Sequence, residues 1–178
     1  MQLLTPNNPY QLHQAEIVER IQESHNIFTL RLSFTDPDLH KNYRFQPGQF
    51  NMLYLFGAGE IAISIVSDPE HDHLFDHTIR AVGRVSNAMA NLRAGDKIGV
   101  RGPYGRGWPI QQHKGKNIVL VTGGLGCAPS VSVIHYVLHR RDQFEQLTIL
   151  QGVKKSSDLI WRNQYQKWSA MPGVQVLL

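Results

Sequence analysis

A glycine-rich turn at residues 122–126 is the stretch of this sequence best suited to chemistry. It follows an apolar run at 118–121, which is typical of a strand buried on both faces of a parallel sheet. Gly123, Gly124 and Gly126 let the backbone turn sharply and approach a ligand without a clash from a Cβ atom. Pro129 suits the first position of a following helix. Free N–H groups and the positive end of the helix dipole at such a turn favour a phosphate.

Two interpretations of this turn stay open on its residues alone. It binds the phosphates of a nucleotide, or it is a tight connection between a strand and a helix with no ligand. The standard dinucleotide fingerprint G-x-G-x-x-G is not met, because Pro129 occupies the position of its last glycine.

Histidines are the candidates for metal ligands, in one group of three and one helical pair: His71, His73, His77, His135 and His139. The pair has the i, i+4 spacing of zinc ligands. The glutamate of the H-E-x-x-H motif is absent, because Tyr136 follows His135. We therefore predict no metal site. Cys127, the only cysteine, is expected to be a small buried residue of the glycine turn.

The amino-acid composition excludes several classes of protein. The chain has 178 residues, 42% apolar and 18% charged, which is typical of a soluble globular protein with a sizeable core. The net charge of +4 is scattered without a long Lys/Arg block, so nucleic-acid binding is not expected. One cysteine excludes a disulfide framework, which favours a cytoplasmic location. No apolar run is long enough for a membrane span, and residues 1–13 lack the pattern of a signal peptide.

The first part of the chain has the pattern of an antiparallel barrel. Six short strands with turn signals between them are predicted at 16–21, 27–34, from the Pro47-Gly48 turn to 56, and at 61–66, 77–82 and 97–101. In the second of them Phe28, Leu30 and Leu32 alternate with polar residues, so one face is buried. A short helix is expected at 86–92, with Ser86 as its N-cap.

After a polar linker at 111–116 the pattern changes to alternating strands and helices. Strands are predicted at 117–122, 147–151 and 174–178, and the first helix at 129–140. The second helix is expected to be capped by Ser156 or Ser157. This β-α-β-α-β order is half of a doubly wound domain. The predicted domains are therefore 1–112 and 113–178.

Five motifs in a fixed order resemble the ferredoxin–NADP reductase superfamily: FQPGQF, AISIVS, GRVSNAM, RGPYGRGWP and GGLGCAP. The resemblance extends from Tyr10 to Leu178 and is strongest to the FAD-binding gamma subunit of sulfhydrogenase-type nickel–iron hydrogenases. The electron-transfer subunit of dihydroorotate dehydrogenase and the corresponding component of anaerobic sulfite reductase are similar relatives. The resemblance implies a β + α/β fold, with an antiparallel six-stranded FAD-binding barrel at 1–112. A partial parallel-sheet NAD(P)-binding domain, its N-terminal half only, is expected at 113–178.

The resemblance also implies flavin-binding residues. The family signature R-x-Y-S corresponds to 61–64, where Ser64 remains as the catalytic candidate that orients the flavin near its reactive nitrogen. Ile61 replaces the arginine that holds the pyrophosphate, so Arg80 or Arg84 is expected to neutralise it. The implied FAD-binding set is Ile61, Ala62, Ile63, Ser64, Arg80, Val82, Gly83, Val85, Ser86 and Asn87. On the residues alone, Ser64 is equally a barrel residue with a satisfied hydroxyl, and Ser86 a plain helix cap.

Nicotinamide-nucleotide residues follow from the same resemblance. The implied NAD(P)-binding set is Thr122, Gly123, Gly124, Gly126, Pro129, Gly152, Lys154 and Asp158. Lys154 and Lys155 suit the 2′-phosphate of NADP, and the alternative is a solvated lysine pair.

The function implied by the resemblance is that of an FAD-dependent NAD(P)H oxidoreductase. As an electron-transfer subunit it would pass electrons between NAD(P)H and a redox partner through FAD, in a hydrogenase-like hetero-oligomer. The partner would be a hydrogenase or another iron–sulfur subunit. The alternative is a non-catalytic docking subunit or a nucleotide sensor with the same fold, because the flavin-binding arginine is absent.

Family members continue beyond the third strand of the second domain, and some end in a cysteine cluster that holds an iron–sulfur centre. One cysteine cannot supply the four ligands of such a centre, so no iron–sulfur cluster is expected in this chain. We expect the chain to be a fragment of a longer reductase, or a partner to cover its open sheet. Its nucleotide site is then incomplete, with weak NAD(P)H binding.

Overall fold

A six-stranded antiparallel barrel forms the first domain of the computed structural model, which describes residues 8–70 and 73–178. Its strands are β1 His13–Ser24, β2 Ile27–Phe34, β3 Phe50–Leu55, β4 Gly59–Ser64, β5 Phe75–Arg80 and β6 Lys97–Tyr104. They pair in the order β4-β3-β6-β1-β2-β5. An antiparallel bridge between Ile65 and His77 joins the two outer strands and closes the barrel. The predicted fold class is confirmed.

The barrel core comes entirely from the barrel's own residues. The predicted alternation holds in the second half of β2, where Leu32 and Phe34 are buried and Arg31 and Ser33 are partly exposed, whereas residues 27–30 are all buried. Ile17, Leu30, Leu53 and Phe75 are fully buried in this core, together with Met89 from the helix that covers one end. The barrel is therefore a self-contained hydrophobic unit.

Two short helices interrupt the barrel strands, α1 Pro37–Asn42 and α2 Arg84–Met89. Helix α1 was not predicted, although Asp36 caps it by accepting the N–H groups of residues 38 and 39. The prediction that Ser86 is the N-cap of α2 is wrong. Gly83 is the N-cap, and Ser86 is the third helical residue.

The second domain has the predicted alternation of strands and helices: β7 Ile118–Gly123, α3 Ala128–His139, β8 Leu147–Gly152, α4 Arg162–Ser169 and β9 Val174–Leu177. The strands are parallel, in the order β7-β8-β9. Between β7 and α3 the chain forms a 3-10 turn at Gly124–Cys127, so the helix begins one residue before Pro129.

One local prediction in this domain is wrong. Neither Ser156 nor Ser157 caps α4: Ser156–Asp158 is a separate 3-10 turn, and α4 begins after Trp161, whose φ of 57° is left-handed. The predicted linker at 111–116 begins with a 3-10 turn, Ile110–His113. Serine side chains therefore marked a turn here and not the start of the helix.

Helices α3 and α4 cover one face of the parallel sheet. Val137, Leu147, Ile149 and Trp168 belong to the core between them. The opposite face carries Val119 and Val121, which are 60% and 74% exposed, and Leu177, which is also exposed. The second domain therefore buries one face of its sheet, whereas the barrel buries a complete interior.

Contacts between the domains place α3 against the barrel. Val66, in the connection between β4 and β5, belongs to the hydrophobic core of the second domain. The Gly48 N–H donates a hydrogen bond to the Ser132 hydroxyl at 3.2 Å. At the other end of α3, the buried carboxylate of Asp68 pairs with His139. No helix of the described residues is long and apolar enough to cross a membrane.

Candidate functional site

The residues predicted to bind a nicotinamide nucleotide lie at the carboxyl edge of the parallel sheet. Strands β7 and β8 end side by side, with Gly123 paired to Gly152. Thr122 lies near the end of β7, and the turn at 124–127 follows at the same edge. Lys154 and Asp158 are exposed in the loop after β8. Ligands of open α/β sheets bind at this edge.

The glycine turn leaves open space in front of its backbone. A Cβ atom built on Gly123, Gly124 or Gly126 would meet no heavy atom of the described residues within 4 Å. Gly124 also has a φ of +53°, which side chains other than glycine rarely adopt. These glycines are therefore not required by packing against the protein, which leaves access for a ligand.

Gln151 holds this turn in place, and sequence analysis missed it. Its side chain is buried, and its Nε2 donates to the Gly124 carbonyl at 2.9 Å. Its Oε1 accepts a hydrogen bond from the Thr122 hydroxyl. A glutamine at the end of an otherwise apolar strand was the available signal. The turn is therefore fixed from the neighbouring strand before any ligand binds.

Strand β4 carries the first part of the predicted flavin set. Ile61 and Ile63 lie opposite Leu53 and Asn51 of β3, so they share the face that points to the barrel interior. Both are only partly buried and pack against the barrel core. Ser64 and Ala62 have the other face, opposite Phe50 and Met52. The half-buried isoleucines offer an apolar surface at the edge of the sheet, and neither of them carries the charge of the family arginine.

The turn before α2 is organised by Ser86. Its Oγ accepts the N–H groups of Gly83 at 2.9 Å and Val82 at 3.1 Å. The hydroxyl donates to the Gly83 carbonyl at 3.2 Å. Asn87 and Val82 are exposed on this turn, and Val85 packs against the barrel. Ser86 therefore fixes the backbone of the predicted pyrophosphate site from inside the helix.

Arg84 lies beside the strand that lacks the family arginine. A Cβ atom on Gly59 would be 3.4 Å from Arg84 Nη2 and 3.3 Å from a methyl group of Val85. Helix α2 thus brings a guanidinium over the start of β4, two residues before Ile61. The Arg84 guanidinium therefore provides a positive charge close to Ile61, which replaces the arginine of the family signature.

One residue of the predicted flavin set lies close to the end of the glycine turn, between the two domains. Arg80, at the end of β5, pairs with Ile27 of β2, and Ile27 packs against Cys127 at the start of α3. Burial raises the pKa of the Cys127 thiol to about 11, although the Tyr165 hydroxyl and the Arg80 charge oppose this shift. The thiol is therefore protonated near neutral pH and unsuited to act as a nucleophile. The flavin set and the glycine turn share one interdomain edge.

A buried polar relay supports Ser64 from within the barrel, and sequence analysis missed it. The Tyr43 hydroxyl donates to Asn51 Oδ1 at 2.8 Å, and Asn51 Nδ2 lies 3.2 Å from His77 Nε2. His77 Nδ1 lies 2.9 Å from the Ser64 carbonyl oxygen. Asn51 and His77 are fully buried. Burial lowers the pKa of His77 to about 4, despite hydrogen bonds to the carbonyls of Ser64 and Ile63 that raise it.

Of the histidines considered as metal ligands, His135 and His139 are neighbours on α3, with ring centroids 6.2 Å apart, and the other described ones lie elsewhere. His77 is inside the barrel, His139 pairs with Asp68, and His135 contacts the Trp168 ring. Within residues 8–70 and 73–178, no group of three His, Cys, Asp or Glu residues could hold a metal ion. His71 lies outside these described residues.

A cavity of about 840 Å³ lies between the barrel and the second domain. Its walls are the outer faces of β2 and β5, helix α3 and the start of α4, including Arg31, His135 and Trp161. The described residues that line it include no member of the predicted flavin or nucleotide sets. The predicted site is therefore the edge at Arg80 and Cys127, next to this cavity and not inside it.

Comparison with protein families gives two matches in the order of the two domains. Residues 14–108 match the oxidoreductase FAD-binding domain, and residues 120–177 match the oxidoreductase NAD-binding domain. The first match alone covers more than half of the chain.

Curated relatives are subunits of larger enzymes. Sulfhydrogenase 1 subunit gamma of Pyrococcus furiosus is 36% identical over 173 residues, covering 96% of this chain and 58% of that protein. Sulfhydrogenase 2 subunit gamma of the same organism is 35% identical over 159 residues, covering 88% and 54%. A probable dihydroorotate dehydrogenase B (NAD(+)) electron transfer subunit of Methanocella arvoryzae is 38% identical over 115 residues, covering 65% and 39%. The chain spans about half the length of the curated relatives it matches.

Solved structures show the same fold at low identity. Ferredoxin-NADP+ reductase from Plasmodium falciparum has a TM-score of 0.80 and 17% identity, covering 98% of this chain and 72% of that one. A ferredoxin NADP+ reductase from Neisseria gonorrhoeae, solved with bound FAD and NADP, has a TM-score of 0.74 and 23% identity, covering 93% and 72%. These structures show the fold, and the family models and curated relatives confirm the resemblance that the five sequence motifs indicate.

Proposed function

Because this chain belongs to the oxidoreductase family whose members join an FAD-binding domain to an NAD-binding domain, we propose that it passes electrons between NAD(P)H and a redox partner through FAD. The observation that carries this proposal is the meeting of the two predicted sets. Arg80 ends a barrel strand of the flavin set and pairs with Ile27, and Ile27 packs against Cys127, which ends the glycine turn. Hydride transfer requires the two cofactors to be neighbours, and this chain of contacts supports neighbouring sites.

The residues present fit FAD, with Arg84 in place of the arginine of the family signature. The half-buried Ile61 and Ile63 leave an apolar edge for the ring, and Ser64 supplies the hydroxyl of the family signature from the other face of β4. Arg84, above the start of β4, takes the place of the missing arginine in neutralising the pyrophosphate. Ser86 holds the turn before α2 by accepting the Val82 and Gly83 N–H groups, so the N–H groups offered to the phosphates are those of the first helical residues. Bound FAD would supply the exchange between a hydride and single electrons.

The nucleotide fits the second domain in the same way. Gly123, Gly124 and Gly126 leave room for a pyrophosphate to approach the backbone. Gln151 keeps the turn in its open conformation. Lys154 and Lys155 are exposed at the same edge and favour an anionic ligand, such as the 2′-phosphate of NADP.

We propose that the redox partner is a hydrogenase or another iron–sulfur subunit, so that the chain works in a hetero-oligomer. The relatives that support this are named as the gamma subunits of two sulfhydrogenases and an electron transfer subunit. The single cysteine of this chain cannot hold an iron–sulfur centre with four ligands.

FAD reconstitution of the 178-residue chain tests the flavin site. We expect Arg84→Gln to weaken FAD binding about tenfold, because a charge-assisted contact to phosphate contributes about 1.5–3 kcal/mol. Arg93→Gln removes an equal charge beyond the far end of α2 and serves as the control. A wild-type chain that stays colourless after incubation with FAD would instead support the docking subunit or nucleotide sensor.

Reduction by NADH or NADPH tests the nucleotide site. Gly124→Val places a branched side chain where the pyrophosphate approaches, so we expect lost reduction by either nucleotide with FAD binding and dithionite reduction retained. Gly115→Val is the matched control, because Gly115 has a φ of +70° and equally open surroundings before β7, at the opposite edge of the sheet. Equal nucleotide reduction of both variants would place the pyrophosphate elsewhere.

A further inference from the structure

One buried main-chain carbonyl fixes the direction of every hydrogen bond in the Tyr43–Asn51–His77 relay. The Ser64 carbonyl oxygen can only accept, so His77 Nδ1 must carry a proton. A neutral imidazole then has an acceptor at Nε2, which must face the amide nitrogen of Asn51. Asn51 Oδ1 is left to accept the Tyr43 hydroxyl. The relay has a single consistent set of donors and acceptors.

The surroundings of the relay keep it in this state. Asn51 and His77 are fully buried, and burial also raises the pKa of the Tyr43 hydroxyl, which stays a donor. A Cβ atom on Gly102, whose φ is +143°, would collide with Asn51 Oδ1. Glycine at this position of β6 therefore leaves the space in which the Asn51 amide lies between Tyr43 and His77.

The relay acts where the barrel has little other support. Strands β4 and β5 are joined by the Ile65–His77 bridge and by the Val66 N–H, which donates to the Asp76 carbonyl at 2.9 Å. The His77 ring adds a side-chain hydrogen bond to the carbonyl of Ser64, the last residue of β4. The orientation of this peptide determines where the Ser64 hydroxyl and the Ile63 side chain point.

We propose that His77 is a positioning residue for the flavin. It acts through the Ile63–Ser64 end of β4, which its hydrogen bond orients, and Asn51 and Tyr43 fix its tautomer. The inference rests on the proposed function, because it takes FAD to lie against this strand end. It assigns a role to three barrel residues outside the predicted flavin set, and it places the support for the site inside the barrel core.

Four variants separate positioning from general stability. His77→Leu removes both hydrogen bonds of the ring, whereas His77→Gln offers an amide donor for the Ser64 carbonyl and an acceptor for Asn51. Tyr43→Phe removes only the outermost hydrogen bond and leaves the His77 contact to Ser64 in place. Thr78→Val is the matched control, because it removes a buried 2.8 Å hydrogen bond to Thr29 from the adjacent position of the same strand.

The readouts are FAD affinity, flavin midpoint potential and the ¹⁵N NMR shifts of His77 in the flavin-free chain. We expect about tenfold weaker FAD binding and a shifted potential in His77→Leu, a smaller loss in Tyr43→Phe, and near wild-type values in His77→Gln and Thr78→Val. The NMR shifts should show a protonated Nδ1 and an unprotonated Nε2 in the wild type.

The outcomes distinguish the inference from the function it rests on. A wild-type chain that binds no FAD overturns the proposed function, whatever the NMR shifts show. If the wild type binds FAD and the folded Tyr43→Phe and His77→Leu chains keep its affinity and potential, the positioning role is wrong and the proposed function stands. A proton on Nε2 in the wild type would contradict the relay itself. If His77→Leu does not fold, Tyr43→Phe and His77→Gln decide the question.

Discussion

The barrel and the second domain bury their apolar residues in different ways. Every residue of the barrel core belongs to the barrel, and the Ile65–His77 bridge closes the barrel between β4 and β5. The core of the second domain includes Val66 from the barrel, and one face of its sheet exposes Val119 and Val121. The second domain therefore depends on the barrel for part of its core, whereas the barrel core is complete without the second domain.

This asymmetry also separates the two halves of the proposed site. The flavin side is supported by hydrogen bonds inside a closed core, through His77 and Ser86. The nucleotide side is an open turn that depends on Gln151 and on the docking of α3 against the barrel. We expect perturbations of the barrel to affect both domains, and perturbations of the second domain to remain there.

Matched core truncations should show the largest effects. Leu53→Ala in the barrel and Leu147→Ala in β8 each remove a side chain that is 0% exposed, and each should lower the free energy of unfolding of its domain by about 2–5 kcal/mol. Leu53→Ala should also destabilise the second domain. Urea unfolding followed by circular dichroism and by the fluorescence of Trp161 and Trp168 checks this. A barrel destabilised as much by Leu147→Ala as by Leu53→Ala would contradict the asymmetry.

Acid should weaken the barrel through His77. Burial lowers its pKa to about 4 from 6.5, so the unfolded chain takes up the proton first as the pH falls. The contribution of neutral His77 is complete above about pH 6.5 and is lost progressively down to about pH 4, and the loss amounts to about 2 kcal/mol at about pH 5. The test compares the unfolding free energies of wild type and His77→Gln at about pH 8 and about pH 5. The difference between the two proteins separates the contribution of His77 from that of the other histidines. An unchanged difference would rule out a neutral buried His77.

Removing the ion pair at the end of α3 should loosen the second domain alone. Asp68→Asn keeps an oxygen to accept the Glu70 N–H but loses the charge that faces His139 and Arg140. We expect the second domain to lose about 1–2 kcal/mol, with barrel unfolding unchanged. Glu70→Gln, at an exposed partner of Arg140, should change either value by less than about 1 kcal/mol. Limited proteolysis within 113–178 provides a second measurement.

The open face of the sheet should tolerate substitution best. Val121→Thr replaces a residue that is 74% exposed, and the expected change in unfolding free energy is within about 0.5 kcal/mol. Sedimentation velocity on the same variant reports whether this face associates. A loss as large as that of Leu147→Ala would mean that the face is buried in solution.

Strands and the glycine turn were predictable because their signals are local. Alternation along β2 and the apolar run before Gly123 each lie within a few residues. Helix boundaries were less predictable. Serine favours the N-cap position, so Ser86, Ser156 and Ser157 were predicted as caps. The N-caps of α2 and α4 are instead Gly83 and Trp161, which has a left-handed backbone. A serine hydroxyl satisfies N–H groups equally from the third helical position, as Ser86 does.

The support of the site was not predictable from the sequence. Asn51 and His77 are 26 residues apart, and Thr122 and Gln151 are 29 apart, so no spacing rule brings them together. The sequence also does not show which polar residues of a strand are buried. Alternation with a period of two assigns a residue to one face of the sheet, but it does not identify the hydrogen-bond partner of that residue. Only the closure of the barrel and the pairing of β7 with β8 create these contacts.

Anaerobic reduction of the FAD-reconstituted chain by NADH or NADPH, followed by flavin absorbance, tests the central claim most directly. Hydride transfer at the edge between Arg80 and Cys127 predicts that a saturating nucleotide bleaches the flavin without added dithionite. Reduction should be slower with nucleotide deuterated at the transferred position and absent in Gly124→Val, yet normal in Gly115→Val. A chain that binds FAD and is reduced by dithionite, but stays oxidised with either nucleotide, would contradict the account.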